Sequence, residues 1–405
     1  MSKNGSASPG EGDANGRRGA LRGPHTSRMI ELDFLRGIAI VLVLFHHTLL
    51  VFGYEQMGFF SRSLTRFGWT GVDLFFVLSG FLVGGLLFQE IRKNGRLNAG
   101  RFLIRRGFKI WPGYFVFIAF YAAKLWRHGV TARDVLRSLL PNLVHLQNYL
   151  PHPGHWPGQT WSLAVEEHFY LALPALLLLL IRGPTNRSRL WIIPWIAVSL
   201  SVVCLVLRML DWTVVATHDH LIPTHLRMDT LFLGVCISYF YHFRPELFLK
   251  LRQRPFAIRM AGIALLIPMF FFEKTDRLVY TAGFTLTAVG YGCILISMVP
   301  YKGDRDRPSA FWNSRLARLV AWVGVYSYSI YLWHEDIGIA TVDYWLRPLW
   351  HSLPRGWHWG AYTALLIPVA VLAGAAMAKL VEFPALRLRD RLFPSLASAP
   401  ADRAQ

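Results

Sequence analysis

Arg36 and His47 stand eleven positions apart in one apolar segment, with Asp33 just ahead of them. On an α-helix that offset returns to within about 20° of the same flank and advances about 16 Å along the axis. Asp33 projects about 40° from His47, whereas His46 points about 100° away. One flank thus carries a carboxylate and a guanidinium near its start and an imidazole about three turns further on. A neutral imidazole can take a proton from an alcohol at physiological pH. A guanidinium can grip a phosphate or a carboxylate. If the flank lines a cavity, this is acid–base chemistry beside an anion site. The alternative is anchoring, in which Asp33 pairs with Arg36 at the helix start and His47 bonds a carbonyl of a neighbouring helix. These residues alone leave both readings open.

Further ionisable groups interrupt other apolar runs. Asp73 lies within Gly71-Val-Asp-Leu-Phe-Phe-Val-Leu-Ser-Gly-Phe81, where it needs a partner, while Ser79 and Gly80 suit close helix packing. Arg101, Arg105 and Lys109 repeat every four residues, with Arg106 beside them, and form a basic stripe on a helix. That stripe can anchor lipid headgroups or bind the phosphates of a nucleotide-bearing donor. Trp161-Ser162 lead into Glu166-Glu167-His168, an unusual density of charge at a membrane edge. Arg227 with Asp229, Tyr331 with His334-Glu335-Asp336, and Glu382 complete the set. Polar groups in at least six segments are more economically buried in one shared interior cavity than exposed separately to lipid.

The elements that must position them are transmembrane helices. Of 405 residues, 53% are hydrophobic and only 17% charged, and mean hydropathy is +0.33. A soluble domain of this size needs more charge on its surface. Apolar runs long enough to span a bilayer occur near 33–52, 69–90, 107–126, 161–181, 191–210, 226–243, 257–272, 278–299, 319–340 and 360–381. The expected fold is an all-α integral membrane bundle of about ten helices, with His47 deep in the membrane.

The formal charge of +19 does not point to nucleic acid, because Lys and Arg concentrate in short loops between the spans and no zinc-type or helix-turn-helix signature accompanies them. Some 29 of the 43 Lys and Arg fall on the side of the N-terminal tail and nine on the other. Both termini are therefore expected in the cytoplasm, which requires an even number of spans. Residues 1–28 read as a disordered basic tail, 29–390 as the membrane domain and 391–405 as a flexible C-terminal tail. The isolated Cys204, Cys236 and Cys293 have no metal or disulfide spacing, and no metal is expected.

Taken in order, these motifs resemble the acyltransferase-3 family of membrane-embedded acyltransferases. The resemblance runs over roughly residues 29–390. It rests on Leu32-Asp33-Phe34-Leu35-Arg36-Gly37 with His47, the Gly71–Phe81 run, the basic run from Arg101 to Pro112, Trp161-Ser162-Leu163-Ala164-Val165-Glu166-Glu167, Arg227 with Asp229, and Tyr328-Ser329-Ile330-Tyr331-Leu332-Trp333-His334. Each motif alone is weak, but six in register are specific. The chain departs from the family's usual pattern at Lys109, at His168, and in the acidic pair Glu335-Asp336.

The resemblance implies transfer of an acyl group, acetyl above all, from cytoplasmic acyl-CoA to a hydroxyl of a surface or lipid-linked glycan, in a bacterial inner membrane. Acylation of a secreted small molecule such as a macrolide is the variant, and a transporter or flippase of a lipid-linked glycan is the rival. It also implies roles. His47 becomes the general base, with Arg36, Glu166 and Glu167 completing the catalytic set. Arg101, Arg105, Arg106 and Lys109 become the CoA contacts. Asp33, Asp73, Trp161, Ser162, Arg227, Asp229, Tyr331 and His334 are expected around the substrates.

Overall fold

The computed structural model describes residues 29–150, 155–181, 189–214, 222–301, 310–352 and 354–394. The expected tail 1–28, and residues 395–405 of the expected C-terminal tail, lie outside the described residues. All regular structure among the described residues is helical.

The chain opens with α1 (Ile30–His47), a short amphipathic α2 (Phe59–Gly68) and α3 (Thr70–Asn94). α3 stops where Gly95 takes a left-handed φ of 65°, and the Asn98 side chain accepts the Arg101 backbone N–H to start α4 (Ala99–Arg127). α5 (Ala132–Leu143) leads to α6 (Trp161–Ile181), α7 (Ile193–Val214) and α8 (Met228–Phe243). α9 (Pro245–Arg252), α10 (Pro255–Leu266) and α11 (Phe284–Met298) follow, then α12 (Ala310–Asn313), α13 (Arg315–Val325) and α14 (Ser327–Trp333). A π-helical turn, His334–Ile339, joins α14 to α15 (Ala340–Leu346). α16 (His358–Met377) runs through another such turn, Ala378–Glu382, into α17 (Phe383–Leu392).

Six helical stretches are long and apolar enough to cross a membrane: Ile30–Leu50, Phe59–Asn94, Gly158–Ile181, Leu190–Trp212, Val279–Met298 and His358–Leu392. The chain is a multi-pass membrane protein of helices. α7 turns Val198, Val202, Val206, Met209 and Leu210 outward, a face suited to lipid rather than water. The remaining ranges expected to span are also helical, but in other forms. Range 107–126 falls within the charged, 29-residue α4. Range 226–243 is the 16-residue α8, and 257–272 breaks from α10 into a 3-10 turn at Pro268. Range 319–340 is divided among α13, α14 and the π-helical turn.

Several pairs of helices meet backbone to backbone, α1 with α13 and α3 with α8 among them. A Cβ on Gly37 of α1 would lie 2.1 Å from the Val320 carbonyl oxygen, and one on Gly324 of α13 would lie 1.8 Å from the Asp33 carbonyl oxygen. α3 and α8 approach in the same way through Gly80 and Gly234. Small residues permit such contact, which fixes helix positions without large side chains as spacers. Gly80 thus packs as its motif suggested. Ser79 instead shares a hydrogen bond of 3.0 Å with the Tyr170 hydroxyl.

Candidate active site

A cavity opens between α1, α3, α4, α6, α13 and α14, and cations from two helices line it. Arg36 of α1 meets Arg106 and Lys109 of α4 there, facing Ser162 and Glu166 of α6 and Tyr331 of α14. Arg106 and Lys109 share a wall because three residues is close to one helical turn. Lys109 donates to Glu382, whose other carboxylate oxygen accepts from Ser329 Oγ at 2.9 Å. The Arg106 guanidinium lies over the Tyr170 ring at 5.0 Å, and the Tyr170 hydroxyl donates to Glu166 at 2.8 Å. Arg36 is 3.6 Å from Asp33, so the expected pair at the start of α1 exists alongside the cavity.

Beyond Tyr331 lies a second group. His47 is the last residue of α1, far along the helix from Arg36, and its ring turns into the bundle. Its Nδ1 donates to the Val43 carbonyl at 2.9 Å, one turn back on α1. That bond leaves Nε2 to face Glu335 Oε1 at 3.1 Å. The His334 ring packs edge-on against His47 with centroids 4.6 Å apart. His334 Nδ1 donates to the Tyr331 carbonyl at 2.7 Å, so its Nε2 also points inward, 3.9 Å from Glu335 Oε1. His46 bonds the Thr65 carbonyl instead, in keeping with its place off the flank.

Tyr331 stands between the two groups. It borders the cavity, and its ring centroid is 5.8 Å from that of His334. Its hydroxyl is held by Ser162 Oγ at 2.6 Å and the Gln159 carbonyl at 2.8 Å.

Other expected site residues are placed apart. Glu167 accepts from Trp111 Nε1 at 3.3 Å and does not reach His47. Arg101 and Arg105 donate to the carbonyls of Pro394 and Phe393, and Arg105 also meets Asp390 at 3.2 Å, so both tie α4 to the end of α17. Asp73 pairs with Arg227 at 2.9 Å, both buried, and Asp229 pairs with Arg208 at 2.7 Å. Arg227 lies 4.2 Å from the Phe284 ring centroid and 5.6 Å from that of Trp161. These residues form a buried charged layer rather than the wall of the histidine group.

Two residues were missed as site or core partners. Arg208 was visible as a lone arginine inside the 191–210 run, which demands a buried acid. Glu335 was noted among the ionisable groups and as a departure from the family pattern, but given no partner. Its pairing with His47 depends on the π-helical turn, a local form that sequence periodicity does not announce.

A hydroxyl brought up to His47 Nε2 would meet a proton acceptor with a carboxylate oxygen beside it. Once the proton reaches the imidazole, the carboxylate holds the resulting cation. The arrangement can activate an alcohol, and the three cations across Tyr331 can hold an anion.

The family profile described as an acyltransferase domain matches residues 29–375. A candidate O-acetyltransferase of Staphylococcus aureus (strain COL) is 26% identical over 326 residues, covering 75% of this chain and 49% of that protein. The peptidoglycan O-acetyltransferase OatA of Listeria monocytogenes serovar 1/2a is 25% identical over 330 residues, 76% of this chain and 49% of the relative. The O-acetyltransferase OatA of Staphylococcus aureus (strain MRSA252) is 22% identical over 395 residues, 92% and 59% respectively. The chain thus spans about half the length of the first two curated relatives. No solved structure matches it. With a profile match across most of its length, the chain belongs to the acyltransferase-3 family.

Proposed function

We propose that the protein is a membrane-bound O-acyltransferase that moves an acyl group, acetyl first of all, from cytoplasmic acyl-CoA to a hydroxyl of a surface or lipid-linked glycan. The observation that carries this reading is the inward-facing Nε2 of His47, 3.1 Å from Glu335, separated by one tyrosine from a cavity lined by Arg36, Arg106 and Lys109. The relatives named for O-acetylation support the same chemistry.

In this reading the donor's phosphates lie on Arg106, Lys109 and Arg36, and its arm extends past Tyr331. Arg101 and Arg105 remain outer contacts at the mouth. The acceptor hydroxyl gives its proton to His47 Nε2 as its oxygen attacks the thioester carbon. The carbon–sulfur bond breaks, and the proton on His47 passes to the departing thiolate. Glu335 steadies the imidazolium between these transfers. The bundle carries about ten spans in a bacterial inner membrane with the Arg36 end toward the cytoplasm, so donor and acceptor approach from opposite sides.

The test uses membranes holding the full chain, labelled acetyl-CoA and a glycan extract. Label on a glycan with wild type, and its loss with His47→Ala at equal expression, is the expected result. Undiminished transfer by that variant removes the mechanism. Label on a small secreted molecule moves the acceptor to the macrolide class, and transport without acylation favours a flippase.

A further inference from the structure

We propose that His47, His334 and Glu335 form a binding site for an imidazole-seeking divalent transition metal such as Zn2+, and that its occupancy blocks transfer. The metal site stands on geometry alone, whereas the block rests on the general-base reading above.

The donor atoms are arranged as ligands. Both Nδ1 atoms are committed to backbone carbonyls, Val43 for His47 and Tyr331 for His334. Fixing one ring nitrogen in this way presents the other as a lone pair of set direction, as bonds behind ligating histidines do. The two Nε2 atoms and a Glu335 oxygen lie within 4.8 Å of one another. Glu335 Oε1 stands 3.1 Å from one nitrogen and 3.9 Å from the other. Zinc bonds of about 2.0–2.2 Å place tetrahedral ligand atoms about 3.3 Å apart, so the side chains must close by about 0.6 Å between His334 and Glu335 and by up to about 1.5 Å between the two nitrogens, within reach of rotamer adjustment.

The charges also call for a cation. Two imidazole nitrogens and a carboxylate face one another. One proton between His47 and Glu335 satisfies that pair and leaves His334 Nε2, fully buried, with no hydrogen-bond partner among the described residues. A divalent ion satisfies all three. Asp336 does not compete, because it is engaged by Lys124. Two imidazoles and one carboxylate favour Zn2+ and its neighbours over Mg2+ or Ca2+, and a fourth position stays open. Side-chain exposures of 19% for His47 and 22% for Glu335 leave a path for an ion. Binding releases the shared proton and occupies the lone pair that deprotonates the acceptor.

The test uses the full chain purified in lipid nanodiscs and stripped with EDTA. Titration with Zn2+ should give one tight equivalent, with proton release seen as a dependence of heat on buffer. Co2+ should give the visible absorption of a low-coordinate site. His334→Ala and Glu335→Gln should each weaken Zn2+ binding at least tenfold, while His46→Ala should not. A melting curve recorded without metal separates loss of ligand from loss of fold. Absence of a tight equivalent, or binding unchanged in the His334→Ala/Glu335→Gln double variant, overturns the site while leaving the general-base reading intact.

In acetyl transfer, Zn2+ should inhibit wild type and EDTA should restore it. His334→Ala, scaled to its own metal-free rate, should need at least tenfold more Zn2+. Transfer that EDTA abolishes and Zn2+ restores would overturn both the block and the general-base reading while upholding the site.

Discussion

Glu335 and His47 face each other across two helices because a π-helical turn aims the carboxylate at the end of α1. The pair predicts a split in kinetics. Glu335→Gln keeps the shape and removes the charge that holds the imidazolium, so kcat for acetyl transfer should fall about ten- to a hundredfold with KM for acetyl-CoA little changed. His47→Ala should cost more, about a hundred- to ten-thousandfold. Steady-state kinetics on nanodisc protein check both. An unchanged kcat in Glu335→Gln would leave that residue no part in the reaction.

Arg106 predicts the opposite split. It touches the cavity beside Lys109, which His47 does not line, so its loss should act on donor binding. Arg106→Ala should raise KM for acetyl-CoA about tenfold or more, the weight of one charge-assisted hydrogen bond. With acetyl-pantetheine, which lacks the nucleotide phosphates, the same variant should behave as wild type. Comparing the two donors distinguishes a phosphate contact from general damage.

The Asp73–Arg227 pair should matter for stability. Its members are 0% and 2% exposed, so removing one leaves a buried charge unmatched. Asp73→Leu should cost about 3–5 kcal/mol, read as a lower melting temperature and poor yield. Asp73→Leu with Arg227→Met should recover most of that loss, because both charges are gone. A double variant as unstable as the single would assign the cost to packing.

Close packing of α1 on α13 gives a fourth outcome. The Cβ of Gly324→Ala would meet the Asp33 carbonyl oxygen, so the helices must part. The cost should be about 1–3 kcal/mol. Because the displaced segment carries Arg36, KM for acetyl-CoA should rise with it. Melting and kinetics on one preparation test the linkage.

The fold was legible where one helix supplies its own signal. The apolar runs of α1, α3, α6 and α7 are long and nearly uncharged, and the flank joining Arg36 to His47 follows from helical spacing. The Asp73, Arg227 and Asp229 motifs announced buried charge, but not which acid meets which base, since pairing is set by the approach of α3, α7 and α8. The range 319–340 looked like one span because hydropathy averages over breaks; the structure turns it into three pieces. The basic run was read as one stripe of Arg101, Arg105 and Lys109. Arg106 faces the cavity with Lys109, while Arg101 and Arg105 hold α17, a division that depends on where the last helix ends.

A π-helical turn carries its bonds one residue further than the α-helix around it, so it amounts to a single extra amino acid lodged in a coil. At His334–Ile339 that lodged residue governs the angle at which Glu335 leaves the backbone. Excising one residue there would let the coil tighten and swing the carboxylate away from the imidazole, with every side chain of the dyad still encoded. The contact between His47 and Glu335 is therefore written in chain length as well as in residue identity, and a chain that differs by one position in this stretch can keep both letters and lose the alignment.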